Sequence, residues 1–102
     1  MIARIWHATA TPTGAEAYQR HFTNAVLPEL RQLDGHQGAY LLQRATADHV
    51  DIQVVTLWES LEAIADFAGP DLDTAVVEPD AQAALLTYGT TVTHHEVLVA
   101  AP

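Results

Sequence analysis

The sequence predicts an α+β fold of the ferredoxin-like type, built on one four-stranded antiparallel sheet. Its predicted segments follow the order strand, helix, strand, strand, helix, strand, which is the split β-α-β arrangement. A short polar turn at residues 45–49 joins the second and third strands, so these two strands are expected to form an antiparallel hairpin. With 102 residues, the chain is long enough for one hydrophobic core and too short for two ordinary domains. We therefore expect a single domain over residues 1–102.

The first predicted strand covers residues 2–10 and has apolar side chains on both faces. One face carries Ile2, Arg4, Trp6 and Ala8, and the other carries Ala3, Ile5, His7 and Thr9. A strand with two apolar faces is expected to be covered by helices on one side and by a partner sheet on the other. We assign the face of His7 to the helix side.

A long amphipathic helix is predicted next. Thr13 and Glu16 have the spacing of a capping box, which places the helix start at Thr13. The apolar positions recur every three to four residues: Ala15, Tyr18, Phe22, Val26, Leu30 and Leu33. Pro28 has no N–H for the carbonyl of Asn24, so a kink or break is expected near Leu27.

The remaining elements are predicted from turn and cap signals. Strands are expected at about residues 36–44, 50–58 and 90–99. Ser60 is a natural N-cap for a helix over residues 61–68, and Pro79 suits the first turn of another short helix.

Charge and composition exclude several classes of function. Thirteen acidic residues face four arginines, and this net charge of −9 repels nucleic acid and anionic membranes. The chain has no cysteine, so thiolate chemistry and disulfides are excluded. It shows neither a secretory signal nor a membrane-length apolar run, and a cytoplasmic location is expected. A domain this small buries only part of its chain surface, which favours self-association.

Three segments resemble the antibiotic biosynthesis monooxygenase family: Ile2–His7, Thr56–Ala63 with its Trp-Glu-Ser-Leu-Glu-Ala run, and Val92–Val97. The resemblance implies a dimeric α/β barrel, in which two four-stranded sheets pack face to face with the helices outside. It also implies a pocket between each sheet and its helices. Family members include oxygenases that oxidise aromatic polyketides without metal or flavin, and enzymes that degrade heme.

Two departures from the family patterns bear on the activity. The heme-degrading members use an asparagine of the first strand, the tryptophan before the second helix and a histidine within that helix. Here Trp58 matches the tryptophan and His7 stands in place of the asparagine, but no histidine occurs between His49 and His94. The polyketide oxygenases keep polar partners near the tryptophan, where this chain has Val54 and Ile64.

His7 and Trp58 are the predicted catalytic residues. A neutral imidazole in an apolar pocket can accept a proton near neutral pH, so His7 is a candidate general base, or else a histidine hydrogen-bonded for packing. Trp58 offers a flat surface for an aromatic ligand and an N–H donor, or else it is a core residue. The hypothesis requires both rings to open into one hollow.

The residues predicted to bind substrate are Tyr18, Phe22, Tyr40, Phe67 and His94. Tyr18, Phe22 and Phe67 lie on the inner stripes of the helices and wall the pocket in this interpretation. Which face Tyr40 occupies stays open. His94 and His95 point to opposite faces of a strand and cannot chelate together, so no metal site is predicted.

Two functions from different classes remain open. The first is a cofactor-independent monooxygenase, acting as a homodimer on a small aromatic or polyketide-like metabolite, with no cofactor. The second is a non-catalytic protein that holds an apolar metabolite in the same cavity. A heme-binding or heme-degrading protein is the third alternative.

Overall fold

The computed structural model describes every residue from Met1 to Pro102, and its sheet is antiparallel throughout. The strands are β1 (Ile2–Ala10), β2 (His36–Ala45), β3 (Val50–Trp58), β4 (Thr87–Tyr88) and β5 (Thr93–Glu96). They are arranged in the order β2-β3-β1-β4, and β5 also pairs with β1. The predicted α+β fold is confirmed. The predicted bounds of the first and third strands match β1 and β3.

The prediction of one continuous last strand over residues 90–99 is wrong. β4 pairs with Ala8 and Thr9, whereas β5 pairs with the other half of β1, from Ile2 to Ile5. Between them, the backbone groups bond elsewhere: the carbonyl of Thr90 accepts from the N–H of Ala75, and the N–H of Val92 donates to the carbonyl of Asp73. The strand is interrupted because this stretch pairs with the segment after the third helix.

The helices are α1 (Pro12–His21), α2 (Leu27–Arg31), α3 (Leu61–Ala68) and α4 (Pro79–Ala84). A π-helical turn, Phe22–Val26, joins α1 to α2. Residues 69–78 link α3 to α4 without a helix or a named strand, and are called here the connecting segment. None of the helices is long and apolar enough to span a membrane. The cytoplasmic location stays a prediction.

The first helix begins two residues before the predicted capping box. Thr11 is the N-cap: its hydroxyl accepts a hydrogen bond from the N–H of Gly14 at 3.0 Å. Pro12 takes the first helical position, where its missing N–H costs nothing. Thr13 therefore lies inside the helix, because the threonine before the proline provides the better cap.

The predicted kink takes the form of a π-helical turn. The N–H of Leu27 donates to the carbonyl of Phe22, five residues back, rather than to the residue four back. Pro28 follows at once and has no N–H for the carbonyl of Asn24. The widened turn lets the helix continue through the proline, and such turns are frequent at functional sites.

All helices pack on one face of the sheet, called here the helix face. On β3 this face carries Val50, Ile52, Val54, Thr56 and Trp58, and all five are buried. The pairing of Trp6 with Val54 and of His7 with Gln53 fixes the faces of β1. Arg4, Trp6 and Ala8 therefore point to the helices.

The assignment of His7 to the helix side is wrong. Its side chain is exposed on the opposite face of the sheet, called here the open face. The alternation of side chains correctly divides the residues of β1 into two faces. Because both faces carry apolar residues, it does not show which face the helices cover. Trp6 fills the helix face because its large indole buries more apolar area than the imidazole would.

The open face has no helix over it. Tyr40 and Leu42 lie on it and are 59% and 46% exposed. Ile5, Val55 and Leu57 share the same face and are only partly covered. An apolar sheet face without a covering layer is incomplete as a core and suits association with another surface.

Candidate active site

A small cavity lies between the helix face of the sheet and the helices. It has a volume of about 60 Å³ and is lined mainly by apolar side chains. Its walls come from β1, β3, α1 with the π-helical turn, α3, α4 and the connecting segment. The predicted pocket between sheet and helices is present, but it is narrow and has room for only a water or two.

Aromatic rings form much of the cavity wall. The ring centroids of Trp6 and Tyr18 are 5.8 Å apart, and those of Tyr18 and Phe22 are 6.4 Å apart. Phe67 of α3 reaches the cavity from another side. The structure therefore places three of the predicted binding residues, Tyr18, Phe22 and Phe67, around the same cavity. Their role in binding substrate stays a prediction.

His21 is the side chain of this cavity that is best suited to acid–base chemistry. Its Nε2 atom is buried and has no hydrogen-bond partner in the protein. Buried polar atoms are almost always paired, so an unpaired imidazole nitrogen on a cavity wall calls for an explanation. His21 ends α1, directly before the π-helical turn, and its ring centroid lies 6.1 Å from that of Tyr18.

Tyr18 remains protonated at neutral pH. Burial, and then the negative charge of Glu78, raise the pKa of its hydroxyl well above the ordinary value. The phenol is consequently a hydrogen-bond donor rather than a base.

Arg4 is buried on the helix face and is 4% exposed. Its guanidinium donates to the carbonyls of Leu72 and Thr74 at 2.6 and 2.9 Å, and it lies over the ring of Phe67 at 5.9 Å from the centroid. Nη1 is also 3.0 Å from Nε2 of His94. This arginine therefore joins the sheet to the connecting segment beside the cavity.

The structure separates the two predicted catalytic residues. Trp58 is completely buried behind the cavity wall, and its N–H already donates to the hydroxyl of Thr56 at 2.8 Å. It packs against Phe67 and edge-on against His36. The hypothesis that Trp58 and His7 share one hollow is wrong, because the sheet lies between them. Trp58 is a core residue in this structure.

His7 lies in a groove of about 670 Å³ on the open face. Polar neighbours dominate this groove, among them Gln53, Arg44 and Asp51. Tyr40 projects from the same face and does not reach the cavity. Neither residue can contact a substrate held between the sheet and the helices, so both predictions are corrected.

His94 lies on the helix face of β5, beside Arg4 and outside the cavity wall. Its Nδ1 is 3.4 Å from a carboxylate oxygen of Asp73. His95 projects to the opposite face and contacts Thr93, which agrees with the prediction that the two histidines cannot act together. No group of three or more metal-ligating side chains is assembled in the structure.

Sequence reasoning missed four residues of the site: Arg4, Trp6, His21 and Glu78. His21 falls at the helix position three after Tyr18, on the same inner stripe, and this spacing could have identified it. The sequence correctly predicts that Arg4 and Trp6 share a face of β1, but it assigns the opposite face to the helices. The contribution of Glu78 depends on the path of the connecting segment, for which the sequence carries no local signal.

Comparison with known proteins places this geometry in a family. The model of the antibiotic biosynthesis monooxygenase family matches residues 1–72. The chain belongs to this family. A search of curated protein sequences gave no significant match.

Three solved structures show the same fold over nearly the full chain. SnoaB, a cofactor-independent oxygenase from Streptomyces nogalater, is 13% identical with a TM-score of 0.63, and the match covers 99% of this chain and 97% of that one. The heme-degrader MhuD from Mycobacterium tuberculosis, with two hemes bound in its active site, is 26% identical with a TM-score of 0.60 and complete coverage of both chains. A Streptomyces coelicolor monooxygenase in complex with nanaomycin D is 15% identical with a TM-score of 0.56, covering 98% and 91%.

The residues of this chain do not fit a heme. α3 contains no histidine that could serve as an axial ligand. The cavity of about 60 Å³ is far smaller than a porphyrin. The one cavity histidine, His21, projects from the opposite helix wall.

Proposed function

We propose that this protein is a cofactor-independent monooxygenase that converts a small phenolic aromatic compound, with hydrogen on the carbon para to its hydroxyl, into a quinone, and that His21 is the general base. The observation that carries the proposal is the buried, unpaired Nε2 of His21 on the wall of an aromatic cavity. A neutral imidazole with a free lone pair in a dry site can accept a proton near neutral pH. The shared fold with a cofactor-independent oxygenase supports the same reaction class.

The reaction begins when His21 Nε2 takes the proton of a substrate phenol. The resulting phenolate transfers an electron to dioxygen, and the superoxide and phenoxyl radicals combine at the ring carbon para to the oxygen, forming a C–O bond. The imidazolium of His21 returns its proton to the peroxide. Loss of the proton on that carbon then breaks the O–O bond. One oxygen atom becomes the quinone carbonyl and the other leaves as water, so dioxygen is the only oxidant.

Tyr18 is placed to stabilise the charge that develops on oxygen. Its hydroxyl is kept protonated by burial and by Glu78, so it can donate to a phenolate or peroxide in the cavity. The rings of Trp6 and Phe22 exclude water and can stack on an aromatic substrate. Where water is excluded, the hydrogen bond from the Tyr18 hydroxyl stabilises negative charge more strongly than it would in water.

The test is turnover by the His21→Gln variant, which keeps a polar side chain but loses the base. Dioxygen consumption is followed with one-ring and two-ring phenols that carry hydrogen on the carbon para to the hydroxyl, in air and under anaerobic conditions. Loss of a general base is expected to lower the turnover number by about 10²–10⁴-fold. Substrate binding, measured anaerobically by quenching of Trp6 fluorescence, should change little.

His95→Gln is the matched control, because His95 lies on the other face of the sheet and should leave turnover unchanged. Full activity of His21→Gln would contradict the proposal. Tight binding of these compounds without any dioxygen consumption would favour the second function, a non-catalytic protein that holds an aromatic metabolite.

We further propose that the protein acts as a homodimer through the open face. Tyr40 and Leu42 are exposed there beside the half-covered Ile5, Val55 and Leu57. A second copy of the same face would supply the missing layer and bury these side chains.

A further inference from the structure

At about 60 Å³ the cavity is too small for an aromatic ring, so one of its walls must move before a substrate can be held there. β1 and β3 are fixed by a continuous ladder, and the helix walls are packed on the sheet. The connecting segment, which contributes Ala75–Glu78 to the wall, has neither helix nor named strand. It is therefore the wall that can open with the least loss of structure.

Apolar packing and hydrogen bonds hold the connecting segment to the rest of the fold. Leu72, Ala75 and Val77 pack on the core, and the side-chain amide of Gln82 donates to the carbonyl of Val77 at 3.0 Å. Two backbone hydrogen bonds tie it to the chain between β4 and β5: Ala75 N–H to the Thr90 carbonyl and Val92 N–H to the Asp73 carbonyl, both at 2.9 Å. The strongest remaining hydrogen bonds are the two that Arg4 makes with the carbonyls of Leu72 and Thr74. Hydrogen bonds from a charged donor are stronger than neutral ones, so Arg4 is the main polar fastening.

The contact between Arg4 and His94 depends on the protonation state of His94. Arginine is a donor only, so at 3.0 Å the Nε2 of His94 must carry the lone pair that accepts from Nη1. The Nδ1–H of this neutral tautomer then faces the carboxylate of Asp73 at 3.4 Å. Protonation would place an N–H on Nε2 against an N–H of Arg4, which turns an attractive contact into a repulsive one.

The charged and titratable groups around His94 are Arg4 from β1, Asp73 from the connecting segment and His95 on its own strand. Burial, followed by the charge of Arg4, lowers the pKa of His94, and Asp73 opposes this shift. Protonation would also strengthen attraction to Asp73. However, the Asp73 side chain is 80% exposed and screened by water, whereas that of His94 is 12% exposed. Repulsion from Arg4 therefore dominates.

We infer that Arg4 and His94 form a pH-sensitive latch on the connecting segment, closed while His94 is neutral and released by its protonation, and that this segment is the entrance of the cavity. The role as an entrance rests on the proposed function. The latch itself does not, because it can be observed without any substrate.

The latch is tested by hydrogen exchange of the unliganded protein, expressed as protection factors so that the intrinsic pH dependence is removed. The reporters are the amides of Ala75 and Val92. In the Arg4→Met variant, which keeps the length but loses the charge, their protection should fall by about tenfold or more. Protection in the β1–β3 ladder should be unchanged, and this shows that the variant is folded.

The pH dependence is the second readout. As the pH falls from about 7.5 to below the ordinary histidine pKa of about 6.5, the two reporters should lose protection in the wild-type protein, and the loss should come below that value because the pKa of His94 is lowered. The His94→Gln variant keeps a neutral hydrogen-bonding group and should abolish this dependence, while the matched His95→Gln variant should retain it. Unchanged protection in Arg4→Met, or a pH dependence that persists in His94→Gln, would overturn the latch.

A third measurement separates the latch from the proposed chemistry. If the segment is the entrance, Arg4→Met should raise the association rate of a two-ring phenol, followed anaerobically by Trp6 quenching. An unchanged association rate despite lost protection would overturn the entrance and leave the latch standing. Failure of His21→Gln to lose turnover would affect only the proposed reaction.

Discussion

The two tryptophans have different places in the structure: Trp58 is a core residue and Trp6 lines the cavity. Trp58 lies in the family motif, yet it is fully buried and its N–H donates to Thr56. Trp6 also has a bonded N–H, to the carbonyl of Gly89 at 2.7 Å, but its ring borders the cavity. The tryptophan predicted to be catalytic, Trp58, therefore stabilises the fold, and Trp6, for which no role was predicted, lines the cavity.

The bond between Thr56 and Trp58 makes a prediction about stability. In Thr56→Val the shape is kept, but a buried indole N–H loses its partner, so the free energy of unfolding should fall by about 1–3 kcal/mol. Urea denaturation measures the change. Thr90→Val is the control, since this exposed side chain makes no hydrogen bond, and it should stay within about 0.5 kcal/mol of the wild type. Equal effects of the two variants would contradict the interpretation.

His36 predicts acid sensitivity of the folded state. Burial, followed by the charge of Arg31, lowers the pKa of His36, and its Nδ1 is buried without a partner. The unfolded chain therefore binds this proton at higher pH than the folded chain does. Stability should be greatest above the ordinary histidine pKa of about 6.5 and should fall as the pH drops through it.

The measurement is urea unfolding on both sides of that pH. His36→Gln should flatten the acid-side loss of stability, and the exposed His95→Gln should leave it in place. His94, whose pKa is lowered as well, adds a second contribution of the same sign. An identical pH profile in wild type and His36→Gln would show that His36 does not contribute.

The ends of the secondary-structure elements are harder to predict from local sequence than the elements themselves. Thr11 caps α1 in place of Thr13, and the π-helical turn before Pro28 replaces a simple kink. The sequence predicted that an interruption would occur, because proline lacks an N–H. It could not specify a π-helical turn, since that choice depends on how the inner stripe from Tyr18 to Val26 packs on the sheet.

The junction between α2 and β2 predicts a glycine requirement. Gly35 has φ +85°, and an added Cβ would lie 2.6 Å from the Cβ of Ala63 in α3. Gly69 has a similar φ of +80° with nothing near its Cβ position. Gly35→Ala should therefore cost more than the about 1–3 kcal/mol of backbone strain expected for Gly69→Ala. Thermal or urea unfolding of both variants measures the loss of stability. Gly35→Ala reports backbone strain together with the steric clash, and Gly69→Ala reports backbone strain alone, so equal losses of stability would exclude the clash.

For the whole molecule, the open face predicts an association equilibrium. Leu42→Asp places a charge on the proposed homodimer surface and should convert dimers to monomers, measured as molar mass by light scattering. Leu61→Asp is the matched control, because Leu61 is similarly exposed, at 45% against 46%, but projects from α3 on the helix side. A monomeric wild-type protein, or a dimer that tolerates Leu42→Asp, would reject this surface.

The sequence was informative about the architecture and much less so about the site. Alternation in residues 2–10 and 50–58 correctly divided both strands into two faces. The helices cover the face of β1 that carries Trp6, because the indole buries more apolar area than Ile5 or His7 would. The same face requires hydrogen-bond partners for Arg4, and these are carbonyls distant in the sequence. Those partners belong to the connecting segment, and no local pattern indicates where such a segment folds back.

β1 places the proposed surface for a second copy and the wall of the cavity on alternating residues of one nine-residue strand. Substitutions at odd-numbered positions can thus alter assembly while the ligand space stays intact, and even-numbered positions allow the reverse, so evolution can adjust the two properties separately. Loss or gain of one codon within this strand would exchange both sets at once. Length changes in residues 2–10 should accordingly be far less tolerated among natural variants than amino-acid replacements.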